Sequence, residues 1–190
     1  MSMEREGILH MAKNVVIISA SNRVSSNSDA LAGAFAKGAE ESGDNVTYIS
    51  LRGKKIAFCL GCLACQKTGT CVIKDDAVEI EKQVVNADVV VWATPIYYYE
   101  MPGQMKTLID RLNPMYPKDC RFRDIYFLTS AAEEDPETPK RAIAGLQGWI
   151  DCFEKAELKG TVFCGGVNDP GEIAGNAKLS EAYEMGRNVK

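Results

Sequence analysis

Four of the seven cysteines lie within one short segment of the chain, CLGCLACQKTGTC, at residues 59–71. Cys59, Cys62, Cys65 and Cys71 follow the spacing C-x2-C-x2-C-x5-C. Thiols this close in sequence can bind a metal ion or an iron–sulfur cluster, form disulfides, or remain free. The N-terminal residues lack the pattern of a secretory signal, so we expect a reducing cytoplasm, where disulfides are disfavoured. The segment therefore predicts a metal, cluster or free-thiol site.

The chain has a single histidine, His10, which precedes the first apolar segment. A Ser-His-Asp triad, a Cys-His pair or a histidine-rich zinc site would each need an imidazole within the fold, so the sequence argues against all three. The 22 basic and 26 acidic side chains give a net charge of −4, without a basic block suited to nucleic acid. No apolar run approaches the roughly twenty residues of a membrane span. We expect neither nucleic acid nor a membrane as a partner.

A hydroxyl-rich loop, SASNRVSSNSDAL at residues 19–31, leads from the first predicted strand directly into a helix. The free N–H groups and the positive dipole at a helix start attract anions, and a phosphate suits this position. The loop offers hydrogen-bond donors and one positive charge from Ser21, Ser26, Asn27, Ser28 and Arg23. The alternative is an ordinary capped turn, with Ser28 or Asp29 as the cap. The G-x-G-x-x-G and G-x-x-x-x-G-K-[ST] motifs are absent, which argues against dinucleotide-binding Rossmann enzymes and P-loop NTPases.

Three adjacent tyrosines, at residues 97–99, follow the third predicted strand. Their rings suit a flat aromatic ligand, and the alternative is packing against neighbouring loops or a partner subunit. Further along, Lys106 and Asp110 stand four residues apart and predict an ion pair on a helix surface. A phosphate site and an aromatic wall together describe a mononucleotide with a large ring system. Flavin mononucleotide (FMN) is the natural candidate.

The elements that position these loops are short apolar runs that alternate with amphipathic stretches, as in parallel strands joined by helices. Strands are predicted at residues 14–19, 45–51, 88–93, 124–130 and 158–165. Helices are predicted from Ser28 or Asp29 to Gly43, from Asp75 or Asp76, from Pro102, and at residues 138–153 and 179–189. This alternation predicts an α/β fold, a three-layer doubly wound sandwich with a five-stranded parallel sheet. Its ligand site would lie beyond the carboxyl ends of the strands.

The domain organisation follows from size and composition. A chain of 190 residues, 46% of them apolar, is typical of one domain. We predict a flexible leader at residues 1–12 and a single domain at residues 13–190. The cysteine segment is then an insertion after the second strand.

Both loops match motifs of one family. The form G-S-P-R-x-x-x-N-[ST] is matched at residues 20–23 and 27–28, with Ala20 in place of the glycine and Asn22 in place of the proline. The form [ST]-P-[IV]-Y-[FY] is matched at residues 94–98, and M-P-G-Q-M-K follows at residues 101–106. In these motifs the chain resembles the NADPH-dependent FMN reductases of the flavodoxin-like fold. Within that group it is most similar to the iron–sulfur flavoproteins.

The resemblance implies a sheet order of 2-1-3-4-5 and a set of site residues. The loop after the first strand would hold the FMN phosphate. The loop after the third strand would border the isoalloxazine with Thr94, Pro95, Ile96, Tyr97 and Tyr98. The loop after the fourth strand would supply the opposite wall with Thr129 and Ser130. The four clustered cysteines would bind a [4Fe-4S] cluster, with free thiols and zinc as the alternatives.

The resemblance also implies a function. We expect a cytoplasmic FMN-dependent oxidoreductase in which NAD(P)H passes a hydride to the flavin and electrons then reach a small acceptor or a redox protein. One alternative is an electron carrier reduced by ferredoxin, and another is a zinc-stabilised interaction module without flavin. No residue stands out as a catalytic acid or base. A homo-oligomer, dimer or tetramer, is expected, and Cys120, Cys152 and Cys164 are interpreted as small apolar residues.

Overall fold

The computed structural model describes residues 11–189, which form a parallel five-stranded sheet covered by helices on both faces. His10 and most of the predicted leader lie outside the described residues. The strands are β1 (Asn14–Ser19), β2 (Asn45–Ser50), β3 (Val89–Pro95), β4 (Asp124–Ser130) and β5 (Glu157–Cys164). The α-helices are α1 (Asn27–Glu41), α2 (Ala64–Thr68), α3 (Asp76–Asn86), α4 (Gly103–Arg111), α5 (Lys140–Ile150) and α6 (Ala177–Arg187). The sheet order β2-β1-β3-β4-β5 confirms the predicted flavodoxin-like fold.

The three inner strands hold the centre of the molecule. Strands β1, β3 and β4 are almost entirely buried, as expected for apolar runs covered by helices on both faces. The edge strands β2 and β5 are largely exposed or half-buried. Because all five strands run parallel, their carboxyl ends and the loops that follow them meet at one edge of the sheet.

On the face of the sheet that carries α3, α4 and α5, a group of aromatic side chains packs within a largely aliphatic core. Trp92 of β3 meets Trp149 edge-on at 5.7 Å between ring centroids, and Phe122 stacks on Trp149 at 5.8 Å. Phe153 contacts both Phe122 and Trp149 edge-on. These contacts attach the end of α5 and the turn after it to the central strands.

On the opposite face, helices α1 and α6 pack with their backbones in contact. A Cβ atom added to Gly38 would lie 2.1 Å from the Tyr183 carbonyl oxygen, and one added to Gly186 would lie 2.1 Å from the Phe35 carbonyl oxygen. At distances this short, a side chain at either position would have to push the two helix backbones apart. The two glycines therefore set how closely α6 approaches α1. Helix α1 follows residues 20–26, the loop predicted to bind a phosphate and called the phosphate loop below.

Several element ends differ from the sequence prediction. Helix α1 begins earlier because Ser26, and not Ser28 or Asp29, is the cap: its hydroxyl accepts the N–H of Asp29 at 3.1 Å. Helix α5 is shorter at both ends than the predicted 138–153, and the short helix α2 was not predicted. No helix within residues 11–189 is long and apolar enough to span a membrane.

Candidate functional site

The loops after β1, β3, β4 and β5 meet around a cavity of about 160 Å³ at the carboxyl edge of the sheet. Its walls are formed by Ser21, Arg23, Ser26, Asn27, Pro95, Ile96, Tyr97, Ser130, Ala131, Ala132, Val167, Asn168 and Pro170. Eight of these thirteen residues were predicted as site residues from the sequence. The topology thus brings together segments that are far apart along the chain.

The floor of this cavity is the start of α1. Ser21 and Ser26 are buried there, and each hydroxyl accepts a backbone N–H, from Arg23 at 3.2 Å and from Asp29 at 3.1 Å. Because a hydroxyl that accepts one bond keeps its own hydrogen, both serines can still donate to an anion. Ser25 has a φ of +54°, which turns the loop sharply before the helix. This arrangement suits a phosphate group.

The loop after β5 closes one side of the cavity and binds the phosphate loop. Arg23 Nη1 donates to the carbonyl of Asn168 at 2.6 Å, and Asn27 Nδ2 donates to the carbonyl of Asp169 at 3.0 Å. Asn27 Oδ1 accepts the N–H of Ile173 at 3.2 Å. Sequence reasoning missed the contribution of this loop, although the Gly-rich run GGVNDPG at residues 165–171 was a signal that could have identified it.

A hydrogen-bonded network around Asp29 supports the phosphate loop from the side of β2. The carboxylate accepts from the hydroxyl of Ser19 and from the phenol of Tyr48, the latter at 3.1 Å. Arg52 Nη1 lies 3.6 Å from Asp29 Oδ2 and donates to the carbonyl of Arg23 at 2.8 Å. Burial, and after it the charge of Asp29, raises the pKa of Tyr48 to about 12. The phenol therefore stays protonated and donates its hydrogen bond at neutral pH.

The tyrosine loop forms a tight turn at the wall of the cavity. Tyr97 and Glu100 exchange two backbone hydrogen bonds of 2.9 and 3.1 Å, with Tyr98 and Tyr99 between them at φ values of +51° and +64°. This left-handed pair normally favours Asn and Gly. The turn leaves Tyr97 in the cavity wall while Tyr98 is 99% exposed.

Four predicted site residues do not line the cavity. Thr94 is buried and its hydroxyl donates to the carbonyl of Pro95, while buried Thr129 donates to the carbonyl of Val162. Ser28 is buried in the first turn of α1 with its hydroxyl 3.4 Å from that of Ser26. Tyr98 points to solvent. Thr94, Ser28 and Thr129 support the loops that form the wall.

The cysteine segment forms a second site between β2 and α3. Cys59, Cys62, Cys65 and Cys71 all line one narrow cavity of about 20 Å³. Gly61, Leu63 and Gly69 have φ values of +63°, +53° and +71°, which wrap the backbone around that cavity. Cys65 is buried, and Asn113 Nδ2 donates to its sulfur at 3.2 Å. Within residues 11–189, no group of three or more Cys, His, Asp or Glu side chains has the arrangement of a single-ion metal site.

The remaining thiols lie elsewhere. Cys120 and Cys164 are buried, as predicted for small apolar residues, and burial raises the pKa of the Cys120 thiol to about 11. The prediction is wrong for Cys152, which is exposed near the end of α5.

Comparison with known proteins identifies the family of the chain. The family model for NADPH-dependent FMN reductases matches residues 13–134, which is more than half of the chain. The chain belongs to this family. The resemblance seen in the loop motifs is thereby confirmed, and the matched residues include both the phosphate loop and the tyrosine turn.

Curated relatives of the chain carry a more specific name, iron–sulfur flavoprotein. An iron–sulfur flavoprotein of Archaeoglobus fulgidus is 40% identical over 88 residues, which cover 46% of this chain and 40% of the relative. An iron–sulfur flavoprotein of Methanocaldococcus jannaschii is 35% identical over 101 residues, which cover 53% of this chain and 52% of the relative. The chain thus spans about half the length of the curated relatives that it matches.

Solved structures resemble the chain over nearly its whole length. An azoreductase from Bacillus anthracis superposes with a TM-score of 0.72 at 20% identity, covering 93% of this chain and 100% of that one. An NAD(P)H:quinone oxidoreductase from Methanothermobacter marburgensis superposes with a TM-score of 0.70 at 18% identity, covering 94% and 97%. At such low identity the likeness establishes the fold alone.

Proposed function

We propose that this chain is an FMN-dependent NAD(P)H oxidoreductase. The observation that carries the proposal is the convergence of the hydroxyl-lined start of α1 and the tyrosine turn on one cavity, in a chain of the FMN reductase family. One solved structure of this fold, that of an FMN-dependent NADH-azoreductase from Bacillus anthracis, is a complex with FMN. When bound, FMN supplies the hydride and electron transfer.

The phosphate group is assigned to the start of α1. The hydroxyls of Ser21 and Ser26 and the N–H groups of the first turn would donate to it, and the helix dipole adds a favourable field. The guanidinium of Arg23 would exchange its bond to the Asn168 carbonyl for a charge-assisted bond to the phosphate. Asn27 keeps the loop after β5 in place through its two hydrogen bonds.

The ring system is assigned to the space between the loops after β3 and β4. Pro95, Ile96 and Tyr97 form one wall, and Ser130 with the alanine that follows it forms another. The N–H of Ile96 donates to the carbonyl of Ser130 at 2.8 Å, which holds the two walls at a fixed separation. These residues orient the ring and exclude water from one side of it, while the open mouth admits the nicotinamide.

The cysteine segment is proposed to hold a [4Fe-4S] cluster. The donor set suits this group, since thiolates are the usual cluster ligands, the four thiols lie around one point, and Asn113 donates to one of their sulfurs, as second-sphere donors do in such sites. The names of the relatives support the same assignment. A bound cluster would supply one-electron transfer to the acceptor. The residues that would ligate it are Cys59, Cys62, Cys65 and Cys71.

FMN binding is tested by titrating the purified protein with FMN and following the quenching of flavin fluorescence. We expect saturable binding that is weakened about tenfold or more by Arg23→Gln, because a charge-assisted hydrogen bond contributes about 1.5–3 kcal/mol. Arg141→Gln, an exposed arginine of α5, is the matched control and should bind like the wild type. Equal affinity of wild type and Arg23→Gln would contradict the phosphate assignment, and no binding at all would contradict the proposed function.

The electron donor is tested by anaerobic stopped-flow mixing of the FMN-loaded protein with NADPH or NADH. Bleaching of the flavin absorbance near about 450 nm is expected with at least one nicotinamide. A flavin that stays oxidised with both but is reduced by ferredoxin would instead identify an electron carrier. A colourless protein that contains zinc would identify the interaction module.

A further inference from the structure

Arg111, the last residue of α4, is a fully buried cation at the base of the cysteine segment. Its side chain is 0% exposed. Nη1 donates to the carbonyl of Ala57 at 2.8 Å, and Nη2 donates to the carbonyl of Ile73 at 3.1 Å. These two carbonyls lie immediately before and after residues 58–72. One guanidinium therefore holds both ends of the segment that carries all four clustered thiols.

Asp75 completes this closure. Its carboxylate receives both terminal nitrogens of Arg111, at 2.6 and 2.8 Å, and the N–H of Ala57 at 2.9 Å. It also caps α3 by accepting the N–H of Ala77 at 3.1 Å. Burial raises the pKa of Asp75, but the hydrogen bonds from Arg111, Ala57 and Ala77 outweigh it and hold the pKa below its ordinary value. The carboxylate is thus charged at neutral pH, and the segment is closed by a bidentate ion pair.

The remaining nitrogen of Arg111 is unused. Its buried Nε has no hydrogen-bond partner among the residues that the structure describes, although a buried N–H normally has one. Arg111 lines the same cavity as the four cysteines, whereas Asp75 is not among the described residues that line it. Hydrogen bonding to Asp75 is the main cause that raises the pKa of Arg111; burial opposes it, and the neighbouring Cys71 thiol raises it further. The positive end of the ion pair therefore lies at the cavity wall and the negative end behind it.

We infer that Arg111 is a positioning residue for the four-cysteine site: it fixes both ends of residues 58–72 so that the thiols share one cavity, and it places a positive charge beside their sulfurs. The inference rests on the proposed function, because it takes the thiols as ligands of a [4Fe-4S] cluster. Reduction adds one negative charge to a cluster that is already anionic. A buried cation beside such a cluster favours the reduced form and raises the reduction potential.

The test compares two variants of the Arg111–Asp75 ion pair with a variant of a second ion pair, Arg121–Asp88. The double variant Arg111→Gln with Asp75→Asn removes both charges but keeps hydrogen-bonding groups, so that no unpaired charge is buried. Arg111→Lys keeps the charge but loses the two-pronged geometry. Arg121→Gln is the matched control, since Arg121 also forms a two-pronged pair, with Asp88, but is exposed. Each full-length variant is loaded with FMN and reconstituted anaerobically with iron and sulfide.

Two quantities are measured. Amide hydrogen exchange before reconstitution reports the order of residues 58–72, and a spectroelectrochemical titration afterwards gives the midpoint potential of the cluster. We expect exchange in this segment to be at least tenfold faster in both Arg111 variants, with β3 and β4 unchanged. The double variant should also shift the one-electron equilibrium about tenfold towards the oxidised cluster, which is about 59 mV more negative. Arg111→Lys should retain a midpoint close to that of the wild type.

The outcomes separate the inference from the proposed function. Exchange that stays equal to that of Arg121→Gln would overturn the positioning role, with or without a cluster. A faster exchange combined with an unchanged midpoint would overturn the electrostatic role and leave a purely structural one. A wild-type protein that binds FMN but takes up no iron would overturn the cluster assignment, and with it the electrostatic role of Arg111, while exchange alone still decides the positioning role.

Discussion

The tyrosine turn shows strain at the scale of single residues. Tyr98 and Tyr99 hold left-handed backbone conformations that cost a side chain with a Cβ about 1–2 kcal/mol each. Tyr98 is 99% exposed, so it gains no packing in return. We infer that this exposed ring, next to Tyr97 in the cavity wall, is available to cover part of a bound flavin.

We therefore predict that Tyr98→Asn raises the free energy of unfolding of the FMN-free protein by about 1 kcal/mol, because Asn adopts the left-handed conformation more readily. The same change should weaken FMN binding. Urea unfolding and fluorescence titration measure the two effects. Tyr116→Asn is the control, since Tyr116 is also exposed but has a φ of −51°, and it should show no gain in stability. A loss of stability in Tyr98→Asn would contradict the strain argument.

Residue types alone indicated much of the site, but not its full composition. The hydroxyl and amide side chains after β1 and the residues after β3 were predicted because their chemistry and their place behind strands point to an anion and a ring. Val167, Asn168 and Pro170 were missed because they reach the cavity only when the loop after β5 folds back over α1. The cap of α1 was misplaced because three serines in a run of four residues can all serve, and only the backbone geometry selects Ser26.

At the scale of elements, the contact between α1 and α6 is limited by two glycines. We predict that Gly38→Ala destabilises the fold by about 1–3 kcal/mol, because its methyl group would overlap the backbone of Tyr183. Gly33→Ala in the same helix is the matched control. No atom lies within 4 Å of a Cβ at Gly33, so this change should stabilise the helix by about 1 kcal/mol.

Urea unfolding of both glycine variants measures the difference. Because α1 begins at the phosphate loop, we also expect Gly38→Ala to weaken FMN binding while Gly33→Ala leaves it unchanged. Equal stability of the two variants would mean that the helices can move apart at little cost, which would contradict a close-packed contact.

Two of the three inner strands could be predicted to the residue, whereas the third, β3, runs from Val89 to Pro95 and not over the predicted residues 88–93. Strands β1 and β4 begin and end where the sequence pattern places them, since buried β-branched runs are bounded by polar residues. The ion pair of Lys106 and Asp110 is confirmed at 2.6 Å. Helix α2 was missed because five residues are too few to show a helical period, and left-handed residues at both of its caps set its limits.

For the molecule as a whole, we propose that residues 13–190 are one cooperative domain, as the size and composition indicate. Strand β3, from the first half of the chain, pairs with strand β4, from the second half, so that both halves share one sheet. The alternation of strands and helices predicted the parallel sheet, but not its order. The order 2-1-3-4-5 followed from the family resemblance, because strand pairing depends on long-range packing that periodicity does not encode.

A single domain predicts a single thermal transition. On heating, we expect the far-UV circular dichroism signal to fall at the same temperature at which flavin fluorescence rises because FMN dissociates. FMN at about one hundred times its dissociation constant should stabilise the fold by about 2.7 kcal/mol, which raises the melting temperature by about 5–10 °C for a domain of this size. Two separate transitions would contradict a single domain, and a melting temperature that does not depend on FMN would contradict FMN binding to the folded protein.

The contact between α1 and α6 also affects the order in which the protein can fold during its synthesis. Ser42 donates a hydrogen bond to the carbonyl of Arg187, 145 positions further along the chain, next to the two glycines that bring the helices together. A nascent polypeptide leaving the ribosome must therefore keep the outer side of α1 uncovered until α6 has been translated. The phosphate loop at the head of α1 acquires its final support only after α6 has been translated, so the flavin is expected to bind after that point and not before it.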